Sequence, residues 1–270
     1  MNPAEYFITV NPVGLAGAAR SKYVRDVTEH LTWIHRTTSG RLLLNCIRRP
    51  SFPIEIRPHA AGVCNASGGS EEKTAGAPLT GFVTYSPFEF SAAGSCAAHG
   101  GSKAGRLWDE ILFHELVHVF RAATGKWTRA RTLSWSMHHY SDNEEFIAVL
   151  CTNIYVADRT NRIKSGLRAG HHGYGAMAAE DATRFGLFMS SEAALGLVKG
   201  FCNDNPIFTK ALSDKLADVV YNPIADYYRF PKLCEAFSKF GKLKDRMKMR
   251  ADLIAMGFDP DFVDTIVKRY

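Results

Sequence analysis

The chain of 270 residues has no run of eighteen consecutive apolar residues, so no segment is expected to span a membrane. Its first residues, MNPAEYFITVNPVGLAG, lack a basic start followed by an apolar core, and no secretory signal peptide is expected. No two of the six cysteines are spaced C-x-x-C, which excludes a zinc ribbon and a thioredoxin-type redox motif. There is no internal repeat, zinc finger or RNP motif. The net charge of +6 comes from 33 basic residues against 27 acidic ones spread along the chain. The densest basic cluster, Lys239, Lys242, Lys244, Arg246, Lys248 and Arg250, reads as the solvated face of a C-terminal helix. No nucleic-acid partner is expected, while a basic surface suits an acidic substrate or an anionic membrane surface.

Against these absences stands His114-Glu115-Leu116-Val117-His118, inside GRLWDEILFHELVHVFRAATG. Two imidazoles one helical turn apart, with a carboxylate beside the first, can bind zinc and activate a water. Leu107, Trp108, Ile111, Leu112, Phe113, Leu116, Val117, Val119 and Phe120 surround the motif, which describes a helix buried on most sides. Burying two histidines and a glutamate there without partners is costly, and a metal ion removes that cost. Gly125 supplies the helix stop.

A catalytic zinc needs a third protein ligand and an open position. The segment YSDNEEFIAVLCTNIYVADR, residues 140–159, opens an apolar helix with carboxylates. Ser141 and Glu144 read as a capping box, which leaves Glu145 as the expected ligand, ahead of Glu144 and Asp142. Small Ala148, one turn along the same side, permits a close approach to the His helix. The expected mechanism follows: His114, His118 and Glu145 hold zinc, and Glu115 takes the proton of the attacking water. The oxyanion donor is sought in LRAGHHGY, where Arg168, His171, His172 and Tyr174 are candidates, with His171 and Tyr174 taken as catalytic. Trp135, His138, His139 and Tyr140 are expected beside the cleft.

HELVH, the stretch Glu144 to Tyr155 and the stretch Leu167 to Tyr174 together resemble bacterial effector metallopeptidases of the gluzincin type, encoded with type VI or related contact-dependent secretion systems, and more distantly the type III effector zinc proteases. The resemblance covers about residues 20–175. It implies a zincin-like core, one catalytic Zn2+ on His114, His118 and one glutamate of the pair, and Glu115 as base. It also implies a protein or peptide substrate, a cognate immunity protein as partner, and synthesis in a bacterial cytoplasm followed by secretion into a target cell. Rival expectations are an intracellular regulatory peptidase that cleaves a single partner, and a non-catalytic protein whose zinc is closed by a fourth ligand such as His138, His139 or Cys151.

The remainder reads as an α+β, helix-dominated fold. Residues 1–178 are expected to form the metallopeptidase core with a small β-sheet, and 179–270 a helical C-terminal part packed on it. Helices are expected over 20–35 and from Ser39-Gly40 to Pro50, with strands at 53–57 and 81–85. By the resemblance, one of these two strands is the sheet edge above the His helix that holds extended substrate. The Gly/Ala/Ser-rich stretches 60–78 and 91–105 read as loops. Cys64 and Cys96 flank them, and a disulfide between the two would tie this insertion down, which requires an oxidising destination. C-terminal helices are read over 181–189, 191–202, 205–222, 223–240, 242–258 and 259–270.

Overall fold

The fold was taken from a computed structural model, which describes residues 1–49, 51–91, 94, 96, 107–131, 140–160, 166–171, 176–178, 182, 186–240 and 246–267. It is α+β and helix-dominated. Helix α1 (Gly17–Arg36) buries Tyr23, Val27, Leu31 and Ile34, the helical spacing its sequence carries. The Thr37 hydroxyl accepts the Gly40 N–H and so starts α2 (Thr38–Ile47). Strands β1 (Ile8–Val10), β2 (Ile54–Arg57), β3 (Ser67–Glu72) and β4 (Leu79–Thr84) form one sheet in the order β1-β2-β4-β3. β1 and β4 run parallel to β2, and β3 runs antiparallel to β4. In β2 the isoleucines Ile54 and Ile56 are buried while Glu55 and Arg57 are half-buried, the period of two expected of a strand with one face inward.

Two corrections concern this sheet. The edge strand beside the His helix is neither of those expected at 53–57 and 81–85, which correspond to the internal strands β2 and β4; it is β3, which lies within the stretch read as a loop. Its composition hid it. At Gly68 a Cβ would stand 2.3 Å from the Glu115 carbonyl oxygen, so a strand at this distance from the helix backbone excludes the β-branched residues that advertise strands. The second is β1, three residues long and too short to show a period.

Helix α3 (Trp108–Ala123) carries the HELVH motif and is buried from Asp109 to Arg121; Gly125 follows it at φ 66°. Helix α4 (Asn143–Thr160) lies antiparallel to it, and the pair is stitched at both ends. At one, the Arg159 Nε donates to Asp109 at 2.6 Å, and the Tyr155 hydroxyl donates to the same carboxylate. At the other, buried Arg121 donates to both oxygens of Glu144 at 2.8–3.2 Å. Between them Phe113 stacks on Tyr155 with ring centres 4.2 Å apart. These contacts fix the register that sets His114 and His118 opposite the start of α4.

Helices α5 (Glu192–Asp204), α6 (Pro206–Lys215), α7 (Pro223–Arg229), α8 (Pro231–Phe240), α9 (Arg246–Ala255) and α10 (Pro260–Val267) complete the ten helices among the described residues. α5 and α6 back the His helix: Phe208 packs on Phe120 at 5.0 Å, and Arg121 lies over the Phe201 ring at 5.6 Å. The helix expected over 223–240 is two, because Pro231 forces Phe230 out of the helical region, to φ −134°, ψ 52°. Likewise 205–222 is helical only to Lys215, and of 181–189 the described part holds a short 3-10 turn, Leu187–Met189.

Candidate metal centre

His114 and His118 face the same side of α3 because they are four residues apart. Glu145 reaches them from the first turn of α4. Its Oε2 stands 3.1 Å from His114 Nε2 and 3.5 Å from His118 Nε2, and one ligand atom from each of the three side chains lies within 4.8 Å of the others. The cluster could hold a metal ion. Glu145 is thus the carboxylate at the histidines, and Glu144 is not: it is committed to Arg121 and to the Thr128 N–H. Nor do Ser141 and Glu144 form a capping box. Asp142 caps α4 instead, its carboxylate accepting the Glu145 N–H at 3.0 Å, which removes Asp142 from the ligand candidates and fixes the backbone of the residue that is one.

The donor set fits a cation. Thr152, seven residues and two turns beyond Glu145, gives its hydroxyl hydrogen to the Ala148 carbonyl at 2.7 Å and so accepts from His114 Nδ1 at 3.3 Å. A neutral His114 that donates from Nδ1 presents a bare lone pair at Nε2, facing the Glu145 oxygen. Burial pushes the His114 pKa down to about 3, so a proton does not relieve this meeting of two acceptors. A cation between them does. His118 behaves differently. Burial works against its charge, yet hydrogen bonding to Glu145 and the Glu115 and Glu145 carboxylates outweigh burial and raise it to about 9. For Glu145 burial opposes ionisation, and the protonated His118 beside it overcomes that, holding the carboxyl far below the usual range.

Glu115 lies beside this cluster, buried, and burial pushes its carboxyl up to about 7. It lines an open cleft of about 400 Å³ together with Asn65, Ser67, Gly68, His118, Trp127 and Glu145. His171 also lines it. Its Nε2 is 3.4 Å from Glu145 Oε2, and its ring stacks on His114 at 5.7 Å. The strand-like segment that carries it is pinned to α4: Asn153 exchanges two hydrogen bonds with the Arg168 backbone, at 2.7 and 2.9 Å, and the Tyr140 hydroxyl donates to the Ala169 carbonyl. Arg168 itself is buried and its guanidinium donates to the His171 carbonyl, so it supports the histidine loop. Tyr174 and His172 lie outside the described residues, as do Trp135, His138 and His139. Cys151 is buried and is not part of the cluster.

Thr152, Trp127 and the Arg121–Glu144 pair were not foreseen from the sequence. Thr152 had a signal, since it shares the helical face of Glu145 and Ala148. Trp127 had none; its ring stacks on His118 at 5.9 Å only because the chain turns back after Gly125. Compared with known protein families, with curated proteins and with solved structures, the chain matches none.

Proposed function

We propose that this protein is a zinc-dependent endopeptidase with His114, His118 and Glu145 as metal ligands and Glu115 as general base. The observation that carries the proposal is a buried, raised-pKa glutamate beside a His-His-Glu donor set, opening on a cleft. Zinc, when bound, supplies a Lewis acid and brings the pKa of a water toward about 7. Glu115, poised near neutrality, takes the proton of the attacking water and returns it to the leaving nitrogen. His171, half-exposed across the cleft, is the donor to the developing oxyanion, and Arg168 and Asn153 position its loop. β3 is the strand at the edge of the sheet beside the cleft, and an extended substrate would lie along it.

Action outside a reducing cytosol, as a secreted effector delivered to a target cell, belongs to the same proposal; a disulfide between Cys64 and Cys96 supports it. A second reading, a zinc-stabilised protein without activity, draws on His171 as a fourth donor. One experiment separates them: zinc content by mass spectrometry and peptide hydrolysis for wild type, Glu115→Gln and His171→Ala. The proposal expects one zinc in all three, with turnover in Glu115→Gln reduced by about 10²-fold or more. Full activity of Glu115→Gln, or loss of zinc in His171→Ala, would count against it.

A further inference from the structure

The wall of the cleft beyond His118 is built by residues 126–131, and its backbone is tethered at alternate positions. Arg121 donates to the Lys126 carbonyl at 2.6 Å, Glu144 accepts the Thr128 N–H at 2.9 Å, and the Ala130 carbonyl accepts the Asn143 N–H at 3.1 Å. The intervening side chains, Trp127, Arg129 and Arg131, line the cleft. Trp127 is wedged between His118 and β3, where a Cβ on Gly69 would stand 2.2 Å from its ring. Arg129 extends the stack, its guanidinium carbon 5.8 Å from the Trp127 ring centre.

The charges in this cleft do not balance. Of the four carboxylates that line it, Glu145 and its neighbour Glu115 belong to the metal centre, Glu144 to Arg121, and Asp142 to the cap of α4. Arg129 and Arg131 are exposed and pair with no carboxylate among the described residues. The stretch that follows them, 132–139, contains no aspartate or glutamate. Two arginines on a braced segment at the mouth of a cleft attract an anion with matching geometry.

We propose that the cleft selects peptides with an anionic side chain, a carboxylate or a phosphate ester, close to the bond to be cut, and that Arg129 and Arg131 are the residues that select it. This rests on the peptidase reading above. The test has two arms. Zinc-loaded wild type and the Arg129→Glu/Arg131→Glu variant are given the same peptide library, and the cut bonds are identified by mass spectrometry. Separately, zinc-loaded Glu115→Gln protein, with and without the two arginine changes, is titrated with fluorescent peptides carrying Glu, phosphoserine, Gln or Lys at one position.

The expected result is anionic residues enriched on one side of the cut, and binding of the Glu or phosphoserine peptide about tenfold tighter than Gln. In the charge-reversed variant the preference disappears, KM for anionic substrates rises about tenfold, and kcat stays near wild type. The tighter of the two anionic peptides tells which source the site takes. Equal binding of all four peptides, or a cut profile unchanged by reversing both charges, would overturn the proposal. Absence of any cut bond with zinc bound would count against the peptidase reading itself, and peptide binding would still decide the charge preference.

Discussion

Adjacent glutamates at positions 144 and 145 have opposite duties, and substitution separates them. Glu145→Ala removes a donor from the cluster and is expected to abolish zinc binding while leaving the fold intact. Glu144→Ala leaves buried Arg121 with only the Lys126 carbonyl and the more distant Asp204 carboxylate, at a cost of about 3 kcal/mol in unfolding free energy, with zinc stoichiometry retained in the cold. Paired measurements of metal content and urea unfolding check both. A Glu144→Ala protein of wild-type stability would contradict the pairing. His118 supplies a second test. In the metal-free protein it holds its proton up to about pH 9, against an ordinary value of 6.5, so a metal must displace that proton. Zinc affinity is therefore expected to rise about tenfold per pH unit up to about 9, and calorimetry in two buffers at pH 7.5 to show release of about one proton. The same shift contributes stability to the metal-free fold that is full below 6.5 and lost as pH rises through about 9. Glu115 works the other way from an ordinary carboxylate. Its folded value is raised, so ionising it between about 4.5 and 7 weakens the metal-free fold.

At the scale of elements, β3 shows why a strand can be invisible in sequence and decisive for a site. Its first residues line the cleft, and its glycines let it lie against α3 and Trp127. Gly68→Ala is expected to cost about 1–3 kcal/mol, because its neighbour is helix backbone that cannot yield. Peptide hydrolysis should fall by more than the stability loss explains, since displacing the site by about 1 Å costs on the order of 10²-fold. Thermal unfolding beside activity assays checks this. An alanine variant indistinguishable from wild type would show that β3 has room to retreat. The helices tell the opposite story. The faces of α1, α3 and α4 are legible because a core-facing helix repeats its apolar residues every three or four positions. A strand pressed on a helix has no such freedom in its choice of residue. An apolar period continues across Pro231, so 223–240 reads as one helix, although the backbone cannot continue through it.

Across the whole molecule, the site is held by pieces far apart in the chain. The disulfide between Cys64 and Cys96 closes a loop of sequence separation 32 that contains β3 and β4, and chain entropy sets its contribution at about 3–4 kcal/mol. Cys64→Ser should lower the unfolding free energy extrapolated from urea titration by that amount under oxidising conditions and make no difference to reduced protein. Equal stability of oxidised and reduced wild type would dismiss the bond as a brace. The C-terminal helices act on the site from behind, through Phe208 on Phe120 and through Asp204, whose carboxylate lies 3.6 Å from Arg121 and 3.4 Å from Lys126. Arg121 is therefore where the C-terminal helices, α4 and the Arg129 segment meet.

By itself the sequence determined the α+β class and the His helix with its glycine stop; it ranked Glu145 first of three carboxylates for the two histidines, by way of a capping box that does not form, and offered the pairing of Cys64 with Cys96 without requiring it. The class and the His helix are local matters, settled by helical spacing and by the count of partners a buried polar group needs. Only the tertiary structure decided which strand forms the edge, that Asp142 and not Ser141 caps α4, that Thr152 orients His114, and that Trp127 carries Arg129 to the mouth of the cleft. Those depend on distances between residues remote in the chain. Such distances are set by packing, and a one-dimensional pattern records packing only where it repeats.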